Sequence, residues 1–92
     1  MDEDKERLDK LRAQLDEFHQ WPSMYMFKFV IPSDEAKIVE LNSIFGESAE
    51  IRQRLSKNGK YTSMTIRAMM LNADMIFDKY KAAGKIEGII SL

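Results

Sequence analysis

Leu55-Ser56-Lys57-Asn58-Gly59-Lys60-Tyr61-Thr62-Ser63-Met64-Thr65-Ile66-Arg67 decides how this chain folds. Asn58-Gly59 is a strong two-residue hairpin signal. A type I′ turn needs positive φ at both central positions, which Asn tolerates and Gly adopts without steric cost. Reversal there sets the pairing on both sides. Lys57 faces Lys60, Leu55 faces Thr62, Gln53 faces Met64, Ile51 faces Ile66 and Glu50 faces Arg67. Opposed residues share a sheet face. One face then carries Ile51, Leu55, Met64 and Ile66. The other carries Arg52, Arg54, Ser63, Thr65 and the Glu50–Arg67 pair. Apolar on one side and polar on the other specifies the register, because a one-residue slip would turn the apolar set outward.

The flanking segments read outward from this hairpin, whose strands run about 49–56 and 61–70. Residues 24–31 alternate as a strand. Tyr25, Phe27, Phe29 and Ile31 form the core set, and Met24, Met26, Lys28 and Val30 form an unusually apolar outer set. Residues 34–45 read as a helix capped by Ser33, with Ile38, Leu41 and Phe45 as its buried row and Gly46 just past its end. Residues 73–83 read as another, capped by Asn72, with Ala73, Ile76, Phe77 and Tyr80 on one face and Gly84 ending it. Residues 86–92 read as a last short strand. At the front, residues 3–19 read as a helix with Leu8, Leu11, Leu15 and Phe18 in a narrow stripe. That stripe is expected to lie on Met24 and Met26, or on a dimer mate.

The predicted fold class is therefore α+β. A β-α-β-β-α-β unit of ferredoxin-like type spans residues 21–92, behind an amphipathic helix at 1–20. The expected sheet is antiparallel, with strand order 4-1-3-2 and two helices on one face. Its edge strands invite pairing with another chain.

Bulk composition narrows function. Ninety-two residues make one domain, with little room for a deep cleft. The net charge of −1 creates no overall field toward nucleic acid or anionic membrane. There is no cysteine, so disulfides, thiolate metal sites and thiol catalysis are excluded. Met1-Asp2-Glu3-Asp4-Lys5 is unlike a secretory signal, and no apolar run reaches membrane-spanning length. A cytoplasmic protein without membrane association is expected.

Two segments carry a resemblance. Trp21-Pro22-Ser23-Met24-Tyr25-Met26-Phe27-Lys28-Phe29 matches an aromatic-Pro lead into a strand with a lysine between core residues. Arg54 to Ile66 matches a pattern of Arg, Ser, Gly, Tyr and Ser entering a Thr-rich strand. Over residues 18 to 92 the chain resembles the small bacterial YbeD-like proteins, a family of unknown function. The resemblance implies a ferredoxin-like fold related in shape to the ACT regulatory domain, and it implies no catalytic residues. It departs at Ile31-Pro32, where a Gly would let an amino-acid ligand approach, and in the Leu-striped helix.

Chemistry-bearing residues are few. Arg52, Arg54, Lys57, Lys60 and Arg67 form a run with no acidic residue among them, and Lys28 falls on the same sheet face. That face could bind an anion or RNA, but RNA-recognition sheets stack bases on exposed aromatics. Here the strand aromatics point inward and Tyr61 alone could serve, so nucleic acid is disfavoured. Acylphosphatase-type hydrolysis would need an anion cradle and an arginine after the first strand, where Ile31-Pro32-Ser33-Asp34-Glu35 offers two carboxylates instead. His19 is the sole histidine and reads as a packed residue at a helix end. No cluster has metal-ligand spacing, and no serine has a histidine partner. Ser56, Tyr61 and Ser63 suit turn and sheet chemistry.

The sequence thus points to a binding domain, not an enzyme, with no cofactor and no metal. Its ligand or partner surface is read as Lys28, Arg52, Arg54, Tyr61, Ser63 and Arg67. Its helix or dimer contacts are read as Leu8, Leu11, Leu15, Phe18, Met24 and Met26. A homodimer or protein partner is expected, a small-molecule effector is open, and an RNA- or anion-binding module is the alternative.

Overall fold

The computed structural model describes residues 2–18 and 20–92, apart from the side chains of residues 2–4, 16 and 18. Its elements are α1 (Asp2–Phe18), β1 (Ser23–Pro32), α2 (Glu35–Phe45), β2 (Glu50–Leu55), β3 (Tyr61–Met70), α3 (Ala73–Ala83) and β4 (Ile90–Ser91). The four strands form one antiparallel sheet in the order β2-β3-β1-β4, the expected order read from the opposite edge.

Alternation in the central strands builds the core. Phe27, Phe29 and Ile31 of β1 and Met64 and Ile66 of β3 are fully buried on the face that α2 and α3 cover. Leu41 and Phe45 come from α2, and Ile76 and Ala83 from α3. Each such side chain contributes about 1.5–3 kcal/mol on leaving water. The aromatics interlock: the Phe27 ring centroid lies 4.8 Å from Phe45 and 5.1 Å from Tyr80. Lys79 ties the two helices together. Its Nζ donates to the Ile44 carbonyl at 2.7 Å and sits 5.8 Å from the Phe45 ring centroid. A cation there is favoured by the negative end of the α2 dipole.

The hairpin register is the one the alternation dictates, from Glu50↔Arg67 to Leu55↔Thr62. The turn itself differs. Gly59 has φ +74, but Asn58 does not adopt positive φ, so the turn is not type I′. Gly59 N–H instead bonds the Ser56 carbonyl. The Asn58 side chain accepts from Lys60 N–H and from Ser56 Oγ, both at 3.0 Å. Those bonds hold Asn58 in an Asx-type arrangement and leave the left-handed conformation to glycine alone.

Three further expectations change. The cap of α2 is Asp34, which accepts from Ala36 and Lys37 N–H. Ser33 is drawn away to the nearly buried Thr62 hydroxyl at 2.9 Å. The last strand is only Ile90–Ser91. Residues 83–89 form successive turns that drive Ile86 into the core. Finally, α1 does not cover the outer sheet face. It packs on α3, where Arg12 Nε lies 2.6 Å from Asp74 and its guanidinium carbon 5.6 Å from the Phe77 ring centroid. Met24 and Met26 are left about half exposed, at 49% and 50%.

Gly88 closes the turn before β4 at φ +84, with its α-carbon against the Pro32 ring. An alanine Cβ there would lie 2.8 Å from Pro32 Cγ, whereas at Gly59 the nearest atom would be 4.0 Å away. Gly59→Ala is expected to cost about 1–2 kcal/mol through its backbone conformation alone. Gly88→Ala should cost more, because Pro32 must also shift. Urea midpoints compared at constant slope measure both; equal losses would show that the Pro32 contact carries no weight.

Candidate functional site

The register assembles the outer sheet face row by row. Arg54 on β2, Ser63 on β3, Val30 on β1 and Ile90 on β4 form one row. Arg52, Thr65 and Lys28 form the next, then Glu50, Arg67 and Met26, and finally Met69 with Met24. Tyr61 lies beyond Ser63 at the hairpin end, opposite Pro32. The residues singled out from sequence, Lys28, Arg52, Arg54, Tyr61, Ser63 and Arg67, therefore share one face. The face is divided: Met24, Met26 and Met69 are exposed at the end of β1 and β3 away from the hairpin and Ile90 on β4, while Arg52 and Arg54 stand on β2, Arg67 on β3 and Lys28 on β1.

Geometry limits what those cations can do. Side chains stand perpendicular to a sheet, and neighbouring strands are about 4.8 Å apart, so Arg52 and Lys28 are rooted about 10 Å from each other. Glu50 holds two of the arginines, with Arg52 at 3.5 Å and Arg67 at 3.9 Å. These exposed pairs contribute little to stability. They do partly neutralise the row, leaving Arg54 and Lys28 as the cations without a carboxylate in this network. The arrangement suits an extended or flat ligand.

Ser56 serves the turn. It donates its N–H to the Tyr61 carbonyl at 2.8 Å, and its Oγ accepts from Tyr61 N–H at 3.1 Å. On the helix side, the Tyr25 and Tyr80 hydroxyls lie 3.3 Å apart, joining β1 to α3. Burial pushes the Tyr80 phenol well above its ordinary value, and the Tyr25 hydrogen bond adds to this. It stays neutral at physiological pH and serves packing. Among the described residues, no group of three or more His, Cys, Asp or Glu could hold a metal ion. Among the described residues, no helix is long and apolar enough to cross a membrane. The readings of His19 and of the Phe18 side chain fall outside the described residues. Leu8 and Leu11 remain substantially exposed along α1, while Leu15 is half-buried.

Two grooves were not foreseen. One of about 490 Å³ lies between α1 and α3, lined by Leu8, Arg12, Phe77, Asp78, Tyr80 and Lys81. The other, of about 390 Å³, lies between α2 and β2, lined by Val39, Asn42, Ser43, Gly46, Glu47 and Ile51. A signal for the second exists: Val39, Asn42, Ser43 and Gly46 recur at helical spacing as a face of small and medium side chains beside the buried row.

The model of the family described as "Protein of unknown function (DUF493)" matches residues 16–92, and the chain belongs to that family. The match begins near the end of α1 and takes in every strand. No curated protein and no solved structure matches the chain.

Two outcomes follow from this geometry. Among the described residues the buried core runs from Phe27 to Ile86 and includes nothing from α1. Removing residues 1–18 is expected to leave circular dichroism and cooperative thermal unfolding of the sheet domain intact; loss of the cooperative transition would place α1 inside the folding unit. For Tyr80, the raised phenol means the folded state keeps a proton that the unfolded chain releases near about pH 10. Its contribution is full below that pH and is lost as pH rises toward the folded value. Tyr80→Phe should cost about 0.5–1.5 kcal/mol at neutral pH. The gap to wild type should narrow in alkaline urea titrations.

Proposed function

We propose that this chain acts by binding and not by catalysis, as a small cytoplasmic regulatory or adaptor domain of ferredoxin-like, ACT-like form that works as a homodimer. The observation that supports this most directly is the open outer sheet face, apolar around Met24, Met26 and Met69 and basic around Arg54 and Lys28. Catalysis depends on preorganised groups in a water-excluding site. Here the cations of the outer face stand on an open sheet surface. The apolar corner suits a second copy, since exposed apolar patches mark association surfaces. The basic part suits an anionic effector.

An RNA- or anion-binding module is the second reading. Arg54 and Lys28 favour it, as cations outside the Glu50 network. Phe27 and Phe29 weigh against RNA, because both are fully buried and offer no stacking platform.

A thermal-shift scan against amino acids, nucleotides and short RNAs tests both readings. A ligand at a hundred times its dissociation constant adds about 2.7 kcal/mol. For a small domain that raises Tm by on the order of 10 °C or more. A specific shift from an anionic small molecule, lost in Arg54→Glu, supports the regulatory reading. A shift from RNA that collapses with added salt supports the second. Turnover of any substrate would overturn both.

A further inference from the structure

The edge of β2 and the groove beside it form a surface distinct from the outer face. β2 pairs with β3 on one side only. Ser56 N–H bonds the Tyr61 carbonyl, so the Arg54–Ser63, Arg52–Thr65 and Glu50–Arg67 pairs turn their main-chain groups toward each other. Ile51, Gln53 and Leu55 then turn their N–H and C=O groups to the open edge. Their side chains lie on the core face, yet Leu55 is 63% exposed and Gln53 is exposed. Across the groove α2 presents Val39, itself 58% exposed. Asn42 lines the groove, and its Oδ1 is shielded from solvent and accepts no hydrogen bond. An unpaired edge and an apolar groove along it are the parts that strand addition uses.

We propose that this edge takes up an extended acidic peptide as an added strand. Strand side chains alternate between faces. Residues of the peptide on the core side would enter the groove against Val39 and Ile51. The intervening residues would lie on the outer side beside Arg52 and Arg54. Glu47 and Glu50 sit at one end of the strand, and Lys57 and Lys60 continue the basic run at the other. Charge thus selects carboxylates over most of the edge and apolar side chains in the groove. It also rejects a second β2. A two-fold pairing that keeps β2 largely matched with its copy sets Arg52 opposite Arg52 or Arg54, a like-charge contact that is destabilising. The proposal names a partner class within the binding function put forward above, on a different surface.

The probe is an acetylated, amidated peptide alternating glutamate and valine. Its controls are a block isomer with all glutamates before all valines and an analogue with lysine for glutamate. Binding to the full chain is followed by amide NMR shifts. The expected result is saturable binding with shifts at Ile51, Gln53, Leu55 and Asn42, at least about tenfold tighter than either control. Val39→Glu, which fills the groove from an exposed position, and Arg54→Glu should each weaken it by about tenfold. Equal binding of the block isomer, or shifts confined to Lys28 and Arg67, would reduce the effect to surface charge and overturn the proposal. So would absent binding. Shifts at the β2 amides on raising protein concentration alone would assign the edge to a second copy and overturn it as well. An outer-face ligand from the thermal scan without peptide binding would leave the general binding function standing and remove only this inference.

Discussion

The ladder between β1 and β3 is the constraint on which the rest of the molecule depends. It runs unbroken from Ser23↔Met70 to Pro32↔Tyr61. Both strands are central, so one register fixes two faces at once. It sets Phe27 beside Ile66 and Phe29 beside Met64 on the inner face, where α2 and α3 close over them. The same register sets Met24 beside Met69 and Met26 beside Arg67 outside. A slip of β1 by one residue would expose the phenylalanines and bury Lys28. The free energy holding the core together therefore also holds the outer rows in place.

That coupling sets which residues share the outer face and in what rows. Its side chains stand on strands whose register the core fixes, and the ion pairs among them, Glu50 with Arg52 and Arg67, are exposed. Such a face offers area to an extended partner. Placing α1 on α3 preserves this. Arg12 meets Asp74 and the Phe77 ring on the helix layer, so the sheet's other side stays open.

Much of this was legible in the sequence because the signals were local and redundant. Hairpin pairing followed from alternation on both sides of Asn58-Gly59, and each pair from Glu50↔Arg67 inward repeats the same polarity. Turn type was not legible, since it depends on whether the Asn58 side chain bonds Lys60 and Ser56 or leaves its backbone free to reach positive φ. The last strand was overread because Ile86 to Leu92 alternates like a strand, while Ile86 is buried from a turn and Gly88 bends the chain against Pro32. The leucine stripe of α1 suggested apolar docking, and the observed contact with α3 adds an arginine to it. Lys28 and the arginines could be placed on one face from period-two reasoning alone. The α2–β2 groove could not, because Val39 and Ile51 meet only after α2 crosses the sheet.

Edge strands carry an aggregation hazard, and charge is the common protection. Arg52 and Arg54 supply that charge on β2, which reads as simple defence of an exposed edge. Defence alone, however, does not account for the groove. A protected edge has no need of an exposed valine on the neighbouring helix. The exposed valine has a cost that a peptide strand would remove, because Val39 gains cover. The arginines then act in both settings through one Coulombic term. They repel a second β2 and attract carboxylates, so protection from self-association and selection of an acidic partner require the same two side chains.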